Sequence, residues 1–163
     1  MSLGHDYPRI MAAATASLPT ENLLRAVILA AGLGHRLGAA GKAMPKILLS
    51  FNGRTLLERH LTILRALGVS DVTLGIGYGA ELIETELLRL GAIDVGLVHN
   101  PDYREGSIVT LAHLGAAIAW GGDILLMDGD VLYDRRMLDR LFSSKYNNAF
   151  LIFRIILEVS ALY

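Results

Sequence analysis

The chain has 163 residues and contains no cysteine. This absence excludes disulfides, thiolate zinc sites and a cysteine nucleophile, and it is compatible with the cytoplasmic location that we expect. The sequence also lacks an uninterrupted apolar run of the ~18 residues needed to cross a bilayer. We therefore expect no membrane-spanning segment and no membrane partner.

Charge is sparse as well. Charged residues make up 19% of the chain and the net charge is −1, so nothing electrostatic favours nucleic acid as a partner. Hydrophobic residues make up 53%, enough for one domain that buries about two thirds of its unfolded surface. The notable basic residues are local, because Arg36, Lys42 and Lys46 fall within one short stretch. This clustering predicts a site for an anionic ligand.

That stretch is a glycine-rich loop that follows an apolar strand at residues 27–30. Small residues at the end of the strand let backbone N–H groups approach a phosphate closely. We therefore predict nucleotide binding by Leu29, Ala30, Ala31, Gly32 and Gly34. Arg36 can hold a phosphate through two parallel hydrogen bonds, and Lys46 can act as a mobile point charge. Together these features predict binding of a nucleoside triphosphate.

Two familiar glycine motifs fit this loop badly. A Walker loop needs a hydroxyl residue after its Gly-Lys pair, but Ala43 follows Gly41-Lys42. A dinucleotide-binding fingerprint needs a third glycine where this chain has Leu37. Neither a P-loop nor a dinucleotide site is therefore expected.

A second group of chemically active residues follows the apolar run at residues 124–127. Asp128 and Asp130 are two positions apart along an extended chain, so both carboxylates face the same way, and Gly129 between them leaves room for a ligand. Carboxylate oxygens suit magnesium, which also takes water and phosphate oxygens. The pattern predicts a Mg²⁺ site, although aspartate and glycine are also common in plain surface turns.

Strand and helix patterns alternate along the chain. Strands are predicted at residues 27–30, 47–51, 71–76, 93–98 and 124–127. Asn52-Gly53 predicts a turn, Thr55 with Glu58 predicts a capping box, and Ser107 is expected to cap a later helix. The alternation indicates an α/β fold, a Rossmann-like three-layer sandwich with a mostly parallel sheet. Ligands of such sheets bind beyond the carboxyl ends of the strands.

The loop resembles the LAAG-x-G-x-R…PK signature of nucleotidyltransferases of the sugar-phosphate and phosphocholine type. All its fixed positions are present: Leu29, Ala30, Ala31, Gly32, Gly34, Arg36, Pro45 and Lys46. The resemblance implies a fold of the nucleotide-diphospho-sugar transferase type. It also implies a reaction in which a phosphorylated sugar or alcohol attacks the α-phosphorus of a nucleoside triphosphate and releases pyrophosphate. By this match Lys46 and Arg36 are catalytic, Asp130 is the metal ligand and Asp128 assists it.

The segment VHNPDYREGSIVTL resembles a stretch in the phosphocholine and related branches of that family. The resemblance places Asn100, Gly106 and Ser107 near the base or ribose of the nucleotide. A plain alternative is a turn at Asn100-Pro101 followed by a helix that Ser107 merely caps.

The two ends of the chain give further expectations. We expect residues 1–24 to form a partly disordered leader and residues 25–163 to form a single domain. Members of the resembled family usually continue well beyond the acidic motif, whereas residues 149–163 are strongly apolar, with Arg154 and Glu158 as the only charges. The sequence therefore suggests a C-terminally shortened domain that self-associates as a homo-oligomer.

Two alternative functions follow from the same residues. The Asp128-x-Asp130 motif is also similar to that of metal-dependent glycosyltransferases, which use a nucleotide-sugar. The short C-terminus would also suit a non-catalytic nucleotide-binding module.

Overall fold

The structure is a computed structural model that describes residues 24–33 and 44–150. The expected leader therefore lies outside the described residues except for Leu24. Gly34, Arg36 and the apolar tail beyond residue 150 also lie outside them.

A four-stranded parallel sheet forms the centre of the described part. Its strands are β1 (Leu24–Leu29), β4 (Asp71–Ile76), β5 (Gly96–His99) and β6 (Asp123–Asp128), in the spatial order β5-β4-β1-β6. Every pairing in this sheet is parallel. Ala26, Val27 and Ile28 of β1 are 0% exposed, as expected for a strand covered on both faces. The predicted α/β fold with a mostly parallel sheet is confirmed.

A small hairpin precedes the first helix. Strands β2 (Ser50–Phe51) and β3 (Arg54–Thr55) pair antiparallel, and the turn residues Asn52 and Gly53 have φ angles of 51° and 74°. Positive φ at both central residues is what a tight hairpin turn of this length requires, and Asn-Gly supplies it at low cost. The predicted turn at Asn52-Gly53 is confirmed.

The predicted strand at residues 47–51 is wrong in its first half. Lys46–Leu48 instead forms one turn of 3₁₀ helix, in which the Leu48 N–H donates to the Pro45 carbonyl at 2.9 Å. Ile47 points into the core and is 1% exposed. Burial of Ile47 therefore overrides the local strand preference of this apolar run.

Five α-helices accompany the sheets in the described residues. They are α1 (Leu56–Ala66), α2 (Ala80–Arg89), α3 (Ser107–His113), α4 (Gly115–Ile118) and α5 (Arg135–Phe142). Helix α1 begins as predicted, because the Thr55 hydroxyl accepts from the Glu58 N–H at 3.1 Å. The Glu58 carboxylate, however, forms ion pairs with Arg54 and Arg89, and it does not accept the hydrogen bond from the Thr55 backbone N–H that would complete the box.

The cap predicted at Ser107 is wrong. Gly106 precedes the helix with φ 113°, Ser107 is its first residue, and no side chain caps the N-terminus. A residue with a side chain would be strained at that φ, so the N-terminus of α3 is determined by the backbone of Gly106.

The strand predicted at residues 93–98 begins only at Gly96. Gly91 has φ 63° and the Ala92 N–H donates to the Leu87 carbonyl, which closes the end of α2 and leaves Ile93 84% exposed in the following turn. In the part of the chain that the structure describes, no helix combines the length and apolar character needed to cross a membrane.

Candidate active site

A cavity of about 300 Å³ opens at the carboxyl ends of β1 and β6. The predicted site residues that line it are Leu29, Ala30, Ala31, Gly32, Lys46, Gly106, Ser107, Asp128 and Asp130. Asn100 does not line the cavity, and the predicted Gly34 and Arg36 lie outside the described residues. The fold thus brings together residues that are up to 101 positions apart, Leu29 and Asp130.

Strand pairing explains why the two predicted motifs meet. Leu29 at the end of β1 is paired with Asp128 at the end of β6. The Gly129 N–H donates to the Leu29 carbonyl at 2.9 Å, and the Ala30 N–H donates to the Gly75 carbonyl at 2.8 Å. Adjacent parallel strands therefore end at one edge and place the glycine-rich and acidic segments side by side.

Lys46 and Asp130 form an ion pair across this edge. The Lys46 Nζ lies 2.6 Å from Oδ2 of Asp130, and the two side chains are 28% and 41% exposed. A pair this exposed contributes at most about 1 kcal/mol to stability. Breaking this ion pair therefore costs little free energy. An incoming phosphate can replace Asp130 beside Lys46, and an incoming cation can replace Lys46 beside Asp130.

The neighbours of Lys46 fix its backbone. Pro45 and Ile47 are both buried. Gly79 adopts φ 60°, and a Cβ there would lie 2.7 Å from Cγ of Pro45, so only glycine lets these segments pack this closely. The Pro-Lys pair therefore anchors the chain while it directs a cation to the cavity.

Gly129 has a packing role that the sequence did not reveal. A Cβ at this position would lie 2.9 Å from the Leu29 carbonyl oxygen and 3.1 Å from Cδ1 of Ile47. The protein's own atoms therefore fill the space on the side where a Cβ would lie, while Gly129 also lines the cavity. Gly129 is needed for close contact between the acidic turn and β1.

The loop after β5 and the start of α3 form a second part of the cavity lining. Asn100 lies behind this loop and is 0% exposed. Its Nδ2 donates to Oγ1 of Thr110 at 2.9 Å, and its Oδ1 accepts from the Asp102 N–H at 2.9 Å. Asn100 thus shapes the loop from the interior, whereas Thr110 reaches the cavity.

Tyr103, Arg104 and Thr110 line the cavity but were not selected from the sequence. The Arg104 guanidinium carbon lies 5.8 Å from the centroid of the Tyr103 ring, within cation–π range. Lys46 is paired with Asp130, so among the described residues Arg104 is the lining cation without a carboxylate partner. Arg104 could have been selected from the sequence, because it lies two residues before the predicted Gly106-Ser107 segment.

Comparisons with known proteins agree with this geometry. Residues 26–154 match the profile of the MobA-like NTP transferase domain. The chain is 33% identical to the CMP-5'-(3-aminopropyl)phosphonate synthase of Streptomyces rubellomurinus, over 78% of this chain and 20% of that protein. It is 32% identical to the choline-phosphate cytidylyltransferase of Haemophilus influenzae, over 76% of this chain and 51% of the relative.

A solved structure is also similar. The CTP:phosphocholine cytidylyltransferase of Streptococcus pneumoniae superimposes with a TM-score of 0.60 at 29% identity, over 69% of this chain and 47% of that chain. The chain thus spans about half the length of the two cytidylyltransferases it matches, and less of the synthase. The nucleotidyltransferase resemblance is confirmed at the level of the family. The chain belongs to the family of MobA-like NTP transferase domains.

Proposed function

We propose that the protein transfers a nucleotidyl group from a nucleoside triphosphate to a phosphorylated sugar or alcohol and releases pyrophosphate. The observation that carries this proposal is the 2.6 Å contact between Lys46 and Asp130 beside the Ala30–Gly32 backbone in one cavity. The Ala30 N–H is held by the Gly75 carbonyl, so the backbone N–H groups offered to the ligand are those of Ala31 and Gly32. A cation, a carboxylate and backbone N–H groups are the elements that bind and stabilise a polyphosphate. Membership in the NTP transferase family supports the same reaction class.

In the proposed reaction, the triphosphate lies against the backbone of residues 30–32. A phosphate oxygen of the acceptor forms a bond to the α-phosphorus, and the bond from that phosphorus to the bridging oxygen breaks. Pyrophosphate leaves with the electron pair. Lys46 exchanges its contact with Asp130 for one with the phosphates and stabilises the charge that grows on them. Arg36 is proposed to hold the same phosphates, on the strength of the motif alone.

The acidic turn fits a divalent cation, which we propose to be Mg²⁺. The described residues contain no group of three or more His, Cys, Asp or Glu side chains that could bind a metal by themselves. Magnesium commonly uses one or two carboxylates and takes its other ligands from water and phosphates, so Asp128 and Asp130 suffice. The ammonium of Lys46 already occupies a cation position against Asp130. When bound, the metal would offset negative charge on the α-phosphate and the departing pyrophosphate.

The loop after β5 is proposed to hold the base and ribose. Gly106 and Ser107 reach the cavity and offer backbone and hydroxyl groups. Asn100 contributes indirectly, because its hydrogen bond orients the cavity-lining Thr110.

The test is pyrophosphate release from CTP, UTP, ATP and GTP with Mg²⁺, each paired with choline phosphate, inositol phosphate and hexose 1-phosphate. We expect one triphosphate to give pyrophosphate and a nucleotide-activated product in equal amounts. Asp130→Asn should abolish most of this turnover. Absence of pyrophosphate with every pair would contradict the proposal.

Glycosyl transfer is the second candidate, because Asp128 and Asp130 line the same cavity and could hold the diphosphate of a nucleotide-sugar through a metal. It would release a nucleoside diphosphate from a nucleotide-sugar and no pyrophosphate from a triphosphate. A non-catalytic module would bind Mg²⁺ and triphosphate and turn over neither. Pyrophosphate release, nucleoside diphosphate release from a nucleotide-sugar, and binding of triphosphate with Mg²⁺, measured together, therefore separate all three functions.

A further inference from the structure

The acidic turn, residues 128–130, ends an edge strand. Within the described residues β6 pairs with β1 alone, so its backbone has a strand partner on one side. The Gly129 N–H is held by the Leu29 carbonyl on that side. Groups on the remaining sides need other partners if the two carboxylates are to keep one orientation.

A buried histidine supplies one of these partners. His60 of α1 is 1% exposed, and its Nε2 lies 3.2 Å from the Gly129 carbonyl oxygen. A carbonyl only accepts, so Nε2 carries the hydrogen and donates it. Nδ1 is buried without a hydrogen-bond partner among the described residues. Burial lowers the pKa of His60, which keeps the ring in this neutral form.

Tyr133 supplies the other partner. Its hydroxyl oxygen accepts from the Asp128 N–H at 3.3 Å, and its ring centroid is 5.5 Å from that of His60. The two aromatic side chains thus contact each other and hold the peptide groups just before Asp128 and just before Asp130. Those peptide groups determine the direction in which each carboxylate leaves the backbone.

We propose that His60 and Tyr133 are positioning residues that hold Asp128 and Asp130 in the orientation that binds a divalent cation. The proposal rests on the proposed function for the presence of that cation. Neither side chain reaches the ligand, since each acts on the backbone of the turn. Partners of this kind typically contribute about 10- to 100-fold to metal affinity.

The test measures Mn²⁺ binding by water-proton relaxation, with ATP, CTP, GTP and UTP in turn and without acceptor. His60→Leu removes the donor and should weaken Mn²⁺ binding by about tenfold or more. His60→Gln should restore most of the affinity, because its Nε2 can donate to the same carbonyl. Leu64→Ala is the matched control: Leu64 is 0% exposed in the same helix, and its apolar side chain cannot donate a hydrogen bond to the turn. It should lower the melting temperature and leave Mn²⁺ affinity unchanged.

Equal affinity in His60→Leu and the wild type would overturn the role of His60. Equal losses in His60→Leu and Leu64→Ala, or a Gln variant no better than Leu, would do the same, because both results indicate general destabilisation. Tyr133→Phe keeps the ring and should give a smaller loss, whereas unchanged affinity would remove Tyr133 from the proposal.

The positioning role and the proposed reaction can fail independently of each other. Wild-type protein that binds Mn²⁺ in a His60-dependent way but releases no pyrophosphate would refute the reaction and support the positioning role. If the wild type releases pyrophosphate and His60→Leu leaves Mn²⁺ affinity unchanged, the result would support the reaction and refute the positioning role. Failure of the wild type to bind Mn²⁺ with any triphosphate would overturn the positioning role.

Discussion

The two sides of the cavity are built differently. The charged wall consists of Lys46, Asp128 and Asp130, and its backbone is tightly held by close packing at Gly129 and by buried neighbours of Lys46. The polar wall runs from Tyr103 to Thr110, and a buried hydrogen bond between Asn100 and Thr110 supports it. Groups that stabilise developing charge must be fixed before the reaction, whereas groups that recognise a base need mainly shape and hydrogen bonds.

Lys46→Ala, in the charged wall, is expected to have the largest effect on turnover. If the charged wall carries the chemistry, losing this cation should slow turnover about a hundredfold or more, as with other preorganised groups. Pyrophosphate release under saturating substrate measures it. Lys145→Ala, at an exposed lysine outside the cavity lining, is the control and should behave as wild type. A near-normal rate in Lys46→Ala would remove the residue from catalysis.

Gly129→Ala tests the tight packing of the charged wall. The added methyl group would meet the Leu29 carbonyl at 2.9 Å and should cost about 1–3 kcal/mol. A loss of 1 kcal/mol lowers the melting temperature of a chain of this size by about 2–4 °C, so the melting temperature should fall by several degrees. Gly115→Ala is the matched control, because its Cβ would meet nothing within 4 Å and it lies in a helix. Equal melting temperatures for the two variants would contradict the packing account.

Arg104→Ala tests whether the polar wall contributes charge. Arg104 is the lining cation without a carboxylate partner in the described part of the chain, so its loss should raise KM for the triphosphate about tenfold and leave kcat largely unchanged. Arg104→Lys should have a KM between those of the wild type and Arg104→Ala. The control is Arg140→Ala, at an exposed arginine of α5. A drop in kcat at constant KM would instead assign Arg104 to the reaction itself.

The smallest effect concerns pH. Burial lowers the pKa of His60 below its usual 6.5, so the folded state binds fewer protons than the unfolded state. Its stabilising contribution is complete above pH 6.5 and declines as pH falls toward the folded pKa, by at most about 1.4 kcal/mol per pH unit. Urea unfolding at pH 7.5, 6.0 and 5.0 should show a steeper loss in wild type than in His60→Gln. Parallel curves would show that His60 does not titrate differently on unfolding.

The sequence predicted the charged wall better than the polar wall. Lys46, Asp128 and Asp130 belong to short motifs that end apolar strands, and parallel strands end at one edge. Asn100 was expected at the ligand, but its side chain is satisfied in the interior by Thr110 and Asp102. The sequence around an asparagine does not show whether its side-chain amide binds a ligand or forms hydrogen bonds within the protein.

Local signals also had limits in the fold. The Asn52-Gly53 turn and the Thr55 cap were predicted correctly, because each depends on residues within three positions. The strand expected from residue 47 was not, because burial of Ile47 decides that segment. Self-association and a cytoplasmic location remain predictions from the sequence.

By itself, the sequence determined the alternation of strands and helices, the cationic glycine-rich loop and the acidic turn, since these are set by residue type and short spacing. Only the tertiary structure decided that Lys46 meets Asp130, that Gly129 must be small for β1 to approach, and that His60 reaches the acidic turn from α1. These contacts join residues 69 to 100 positions apart, His60 to Gly129 and Leu29 to Gly129, and they arise from strand order and core packing, which no local pattern encodes.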